Sequence, residues 1–284
     1  MGRTSPGPSL RSQWLGERMR EIRKRLRIPQ QEAANHIQRN NAMLGRYETG
    51  QIPFRRNDVI DLLDFYNVSD EFERNGLLQL CDDVWRKDWW DPHRDDFGQD
   101  FIDVPWLESR VERNCTYQHI LVPGLLQTRE YAEVLIRNDS DNRTPEIQIR
   151  RWVDLRVERQ QVLRKENPAW LAVVIEELVL QRPVGSEEVF QNQLRHLIEL
   201  SKLDNIEIQV MPTANGPHAA HHGTFNLYEM PEPYPDVAHV ETVGGSLFIE
   251  EPTVSHIRKV WEDLVESALP PKESIALVKR YLEE

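Results

Sequence analysis

The apolar pattern near the N-terminus is helical, and Pro29, Gly50 and Pro53 cut it into pieces too short to stand alone. Trp14, Leu15, Met19, Ile22 and Leu26 fall at helical spacing, ringed by Arg18, Arg20, Arg23, Lys24 and Arg27. Pro29 can open a second helix, because its missing N–H costs nothing in a first turn. Residues 30–37 then make barely two turns, with Ala33, Ala34 and Ile37 inward. After a turn at Gln38 and Arg39, Asn40 is placed to cap a third helix over about 41–49. Leu44 and Tyr47 face its core side, while Asn41, Ala42, Gly45 and Arg46 project elsewhere. A fourth helix is expected over 56–66, burying Val59, Leu62, Leu63 and Tyr66. A fifth is expected over 70–86, capped by Ser69 and burying Phe72, Leu77, Leu78, Leu80 and Val84. Such a set of five short helices is a compact helical domain.

Charge divides the chain in the same place. Residues 1–60 carry twelve Lys/Arg against five Asp/Glu, so they stand at +7 and the other 224 residues at −19. A basic head on an acidic body suits a chain whose first domain meets a polyanion while the rest is repelled by it. Two short helices joined by a tight turn form a helix-turn-helix, whose second helix can enter a major groove roughly 12 Å wide. Asn41 and Ala42, then Gly45 or Arg46, are the expected base readers. Gln30 is placed to reach a phosphate with help from its helix N-terminus, and Arg55 and Arg56 to grip the backbone. Asn40 and Arg39, in the turn, complete the expected contact set. Periodicity alone leaves a small basic helical domain that binds protein, or nothing, as a competitor.

The run PQQEAANHIQRNNAMLGRYETGQIPF resembles the helix-turn-helix of Cro/repressor-type (Xre-type) bacterial regulators. Gln30, Glu32, Ala34, Arg46, Glu48, Gly50 and Pro53 fall at matching places. The resemblance implies that Gln30 contacts phosphate and that Glu48 is structural or capping rather than a base reader. Three positions depart from it: Pro29 stands where a Thr or Ser cap is usual, Arg39 where an apolar turn residue is usual, and Gly45 where many relatives have Ser. Arg39 either loosens the turn or offers an extra phosphate contact.

The first residues, MGRTSPGPSLRS, lack the apolar core of a signal peptide and read as a disordered arm over 1–13. No apolar run approaches the roughly 20 residues that span a bilayer. With Cys81 and Cys115 as the two cysteines, a disulfide framework and a Cys-based zinc site are excluded and a cytoplasmic home is expected. The helical domain is placed at 14–87. A linker at 88–101 follows, where Trp89, Trp90, Pro92 and the acids Asp91, Asp95 and Asp96 interrupt helical order. His93 beside those acids reads as a solvated turn. The rest, 102–284, is expected to regulate, dimerise or bind a partner.

That body mixes periods. WLAVVI at 170–175 is a continuous apolar run of strand length, the mark of a strand buried on both faces. Further extended segments are expected at 115–122, 206–211, 224–230, 238–241 and 246–249, the last after a Gly244–Gly245 turn. Helices are expected at 104–113, after Pro123 and Gly124, and at 144–165, 189–201, 253–268 and 271–282. The overall class is α+β/α/β, an all-helical head followed by a mixed α/β domain with a small central sheet.

VPGLLQT at 122–128, RPVG at 182–185, NIEIQVMP at 205–212 and ETVGGSLFIE at 241–250 resemble the C-terminal domain that accompanies such heads in actinobacterial regulators. The resemblance covers about 100–280. It implies an antitoxin-like, DNA-binding regulator whose body senses a signal, dimerises or docks a small partner protein encoded nearby.

Candidates for chemistry are few. His218, His221 and His222 lie in NGPHAAHHG, where Gly216, Pro217 and Gly223 argue for a loop lining a ligand pocket rather than a metal site. Glu176 and Glu177 close the buried strand; turn acids explain them more cheaply than catalysis, but burial beside His218–His222 would raise the prospect of an enzyme. No GxSxG elbow or phosphate-cradling glycine loop is present. The expectation is therefore a cytoplasmic regulator without catalytic residue, metal or cofactor. It would bind double-stranded DNA at a palindromic operator as a homodimer, and sit on the nucleoid when bound. The rivals are a protein-interaction module gripping an acidic partner, and an enzyme with a DNA-targeting head.

Overall fold

The computed structural model describes residues 8–91, 99–141, 143–243 and 245–283. Most of the arm, Pro92, His93, Asp95 and Asp96 of the linker, and Gly244 lie outside these residues. The chain divides into two compact units. One runs to Trp106 and takes in Glu232–Tyr234; the other comprises Leu107–Pro231 and Pro235 onward.

The first unit is helical: α1 (Leu10–Arg25), α2 (Gln30–His36), α3 (Asn41–Glu48), α4 (Arg56–Phe65) and α5 (Glu71–Trp85). The first helix starts earlier than its apolar spacing indicates. Ser9 caps it by accepting from Ser12 N–H at 3.2 Å, and Leu10, Arg11 and Ser12 are buried, so the arm ends well before residue 13. Asn40 caps α3, accepting from Met43 N–H at 2.8 Å. The cap of α5 is Asp70 rather than Ser69, its carboxylate accepting from Glu73 N–H at 2.8 Å. Leu26 and Phe72, expected inside, are exposed, because each falls at a helix end beyond the packed stripe.

Helix α1 comes unusually close to the end of α3. A Cβ at Gly16 would stand 2.5 Å from the Tyr47 carbonyl oxygen, and Gly50 (φ 70°) leaves no room for one beside Gln13. Gly50 thus serves both the left-handed turn that ends α3 and the approach of α1. Gly16→Ala is expected to destabilise the unit by about 1–3 kcal/mol, seen as a lower urea midpoint at unchanged slope.

The second unit holds a six-stranded sheet among the described residues, ordered β3-β2-β1-β4-β5-β6. Strands β1 (Arg113–Gln118), β2 (Trp170–Glu176) and β3 (Ile206–Met211) are mutually parallel. Strands β4 (Phe225–Glu229), β5 (Val237–Thr242) and β6 (Gly245–Ile249) follow as an antiparallel meander on the other side of β1. The helices are α6 (Gln99–Arg110, which crosses the division between units), α7 (Arg129–Asp139), α8 (Glu146–Arg159), α9 (Leu178–Gln181), α10 (Glu187–Leu200), α11 (Thr253–Ser267) and α12 (Pro271–Glu283).

Strand β2 shows why WLAVVI has no polar alternation. Leu171, Val173 and Ile175 pack with Ile206, Ile208 and Val210 under α10 and α12. Ala172 and Val174 pack on the opposite face with Cys115, Phe225 and Leu227, under Val254, Trp261 and Leu264 of α11. Helices on both faces bury every residue from Leu171 to Ile175, each large apolar side chain stabilising by roughly 1.5–3 kcal/mol. Both cysteines are free, and burial pushes the Cys81 thiol up to about 11 and the Cys115 thiol up to about 12. Neither is a reactive thiolate at neutral pH.

Candidate functional site

The helix-turn-helix is held together by two ion pairs, one buried and one partly buried. Arg23 of α1 forms a double hydrogen bond with Glu48 at the end of α3, at 2.5 and 2.7 Å, and also donates to the Ile28 carbonyl at 2.9 Å. Gln30 of α2 donates from Nε2 to the same Glu48 carboxylate at 3.1 Å. One acid therefore ties three helices, and Glu48 is 4% exposed. The amide expected to reach phosphate is committed through Nε2 to Glu48.

The second pair explains Arg39. Both its Nε and Nη2 donate to the Asp58 carboxylate at 3.1 Å, and Tyr47 donates its hydroxyl to Asp58 at 3.0 Å. Asp58 holds the Arg39 guanidinium above its ordinary range through those hydrogen bonds. A bidentate ion pair thus fixes the turn, while Ile37 supplies the buried contact. Arg56 is likewise paired, with Asp82 at 3.0 Å, though both side chains are half exposed.

What remains on the outer side of α3 is Asn41, Ala42 and Arg46, all exposed, with Gly45 half-buried between them. A Cβ at Gly45 would touch Gln30 Nε2 at 3.3 Å, which sets the α2 N-terminus directly against α3. Leu44 and Tyr47 are buried beneath. Among the described residues Arg46 and Arg55 form no ion pair, and Arg55 is exposed just ahead of α4. Of the residues singled out by sequence, the structure gathers Asn41, Ala42, Gly45, Arg46 and Gln30 on or against one helix. Asn40 serves as a cap, and Arg39 and Arg56 are engaged in ion pairs.

A separate pocket of about 520 Å³ opens at the carboxyl ends of β1 and β2, in the second unit. Tyr117, Glu176, His218, His221 and His222 line it together with His119 and Thr213. Tyr117 donates its hydroxyl to Glu176 Oε1 at 2.8 Å, and His218 Nε2 lies 2.7 Å from the same oxygen. Burial, and then that hydrogen bond, push the Tyr117 hydroxyl well above its ordinary range. Glu177 points elsewhere, accepting from Thr213 N–H and the Tyr281 hydroxyl at 2.9 Å. Burial works to raise its carboxyl, but these hydrogen bonds carry it below the usual range. Of the three loop histidines, His218 meets Glu176, an arrangement that raises the prospect of the enzyme alternative. Sequence reasoning missed Tyr117, since nothing in an extended segment marks which residue ends beside a loop a hundred positions on. Among the described residues no group of three His, Cys, Asp or Glu is set to hold a metal ion. No helix among them is long and apolar enough to cross a membrane.

Comparison with protein families matches residues 14–75 to a helix-turn-helix domain. It matches residues 101–280 to a domain of unknown function, DUF5753. Comparison with curated proteins and with solved structures finds no match. The two domain matches support an Xre-like, DNA-binding helix-turn-helix regulator. With the larger match spanning more than half of its length, the chain belongs to the DUF5753 family.

Proposed function

We propose that the chain is a sequence-specific transcriptional regulator that binds a palindromic operator as a homodimer. The observation that carries this reading is the outer side of α3, where Asn41, Ala42 and Arg46 are exposed above buried Leu44 and Tyr47. Small polar residues keep such a helix slim enough for a groove roughly 12 Å wide, in which Asn reads adenine and Arg reads guanine or clamps phosphate. One helix gives too small a footprint for high specificity, so two heads read half-sites about 34 Å apart. The terminal strand β6, uncharged over Gly245–Ile249 and exposing Leu247, is a surface on which two copies can pair. The acidic body adds no attraction for phosphate and leaves DNA to the head.

In this reading the second domain senses a small ligand, or docks a small partner protein encoded nearby in the antitoxin-like manner of the actinobacterial regulators it resembles. The protein works in the cytoplasm, on the nucleoid when DNA-bound. The Tyr117–Glu176–His218 pocket is assigned to binding rather than catalysis. Ala220 N–H donates to His218 Nδ1 at 3.2 Å while Nε2 faces Glu176, so neither ring nitrogen is free to serve as a base.

Selection of bound duplexes from a random pool by the full chain tests this. The expected product is a palindrome. Asn41→Ala then relaxes preference at one position per half-site, by about 1–3 kcal/mol. Arg55→Ala weakens all duplexes alike and lowers the salt slope by about one. Enrichment of no sequence, with binding set by salt alone, would favour the protein-interaction module.

A further inference from the structure

The pocket at the carboxyl ends of β1 and β2 has a definite charge. Backbone donation by Ala220 to His218 Nδ1 leaves that nitrogen without a proton, so the ring carries its hydrogen on Nε2 and donates it to Glu176. Tyr117 donates to the same oxygen, Oε1. Two neutral donors therefore converge on one oxygen of the carboxylate, and among the described residues Oε2 has no hydrogen-bond partner. Glu176 is the one carboxylate of the described lining, which contains no Lys or Arg. Its side chain is 17% exposed. The lining also holds the rings of His119, His221 and His222, the last two with centroids 4.0 Å apart.

A half-buried carboxylate with one satisfied oxygen and no cation is an incomplete ion pair. We infer that this pocket binds an organic cation, a small molecule whose ammonium group docks on Glu176 Oε2 and whose carbon skeleton lies against the histidine rings. Two features support that class. An ammonium supplies the missing charge and donors, whereas an anion would face Glu176 with no Arg or Lys in the lining to balance it. The cavity lies within the size range of small-molecule sites, at the strand ends where open α/β sheets bind ligands. This deepens the reading of the second domain as a sensor and rests on it for the purpose of the site, not for its chemistry.

Benzylamine is a suitable probe, with benzyl alcohol and benzoate as its uncharged and anionic matches. Binding to the full-length chain is read by saturation-transfer NMR and by titration calorimetry. The expected ranking is benzylamine first, with the alcohol and benzoate at least about tenfold weaker. Glu176→Gln, which keeps the acceptor for Tyr117 and His218, is expected to lose benzylamine binding by about tenfold or more while retaining the wild-type circular dichroism. Equal binding of the three probes, no binding of benzylamine, or undiminished binding by Glu176→Gln overturns the inference. Should Glu176→Gln fail to fold, the ranking in the wild-type protein decides alone. A parallel operator titration with and without benzylamine separates the two readings. Amine binding that leaves operator affinity unchanged upholds the site and ends its role as the sensor.

Discussion

Glu48→Ala is expected to cost the first unit about 3–5 kcal/mol, a large share of the roughly 5–15 kcal/mol that holds a typical domain folded. The magnitude follows from what the substitution leaves behind. Arg23 is buried beside Glu48, its side chain 10% exposed, and loses both of the acceptors that match its fork. The guanidinium would remain desolvated with the Ile28 carbonyl as its remaining acceptor. Gln30 loses its acceptor as well, and with it the link between α2 and the end of α3. Hydrogen exchange on the full-length chain localises the effect: amides of α1, α2 and α3 lose protection, while those of β1, β2 and β3 keep theirs. Arg23→Met combined with Glu48→Leu is expected to recover most of the loss, because a buried ion pair replaced as a whole by apolar residues is often neutral. A single Glu48→Ala variant within about 1 kcal/mol of wild type would show that the pair does not organise these helices.

This pair also marks how far the sequence can be read. The matching Arg46, Glu48 and Gly50 are visible as a pattern and point to a structural Glu48, but the partner of that acid lies 25 residues earlier and is one Arg among several on α1. Local signals are readable where the physics is local. Asn40 caps α3 because its side chain reaches an N–H three residues on, and the WLAVVI run is apolar because both its faces are covered. Ser69 and Asp70 are both good caps side by side, so spacing does not choose between them. Phe72 reads as core by composition, yet it falls in the first turn of α5, on a face with nothing above it. Strand order is hidden for a different reason. It depends on which crossover returns beside β1, and the registers that set Tyr117 opposite Val174 on one side and Phe225 on the other join residues far apart in sequence.

The second unit carries a titration of its own in the polar half of the sheet. By strand pairing, Asn114 and Thr116 share the face of Leu171 and Val173, and Thr116 donates to Asn226 at 2.9 Å. His239 of β5 pairs with Asn226 and is 5% exposed. Its Nε2 meets the Ser246 hydroxyl at 3.0 Å, while Nδ1 has no hydrogen-bond partner among the described residues. Burial first, and then the positive charge of Arg159, push this imidazole down to about 4. An unfolded chain binds the same proton near pH 6.5. Between these values the unfolded state is protonated and the folded state is not, so stability present above pH 6.5 is lost as the pH falls towards 4. The loss amounts to about 3 kcal/mol. Urea titrations from pH 7 to 4 on the wild type and on His239→Gln measure it as a difference, which removes the carboxylates that titrate in both. The wild type is expected to lose about 3 kcal/mol more than the variant across this window. Identical pH dependence in the two proteins would mean that His239 is charged in the folded sheet, with an acceptor for its second N–H that the present packing does not provide.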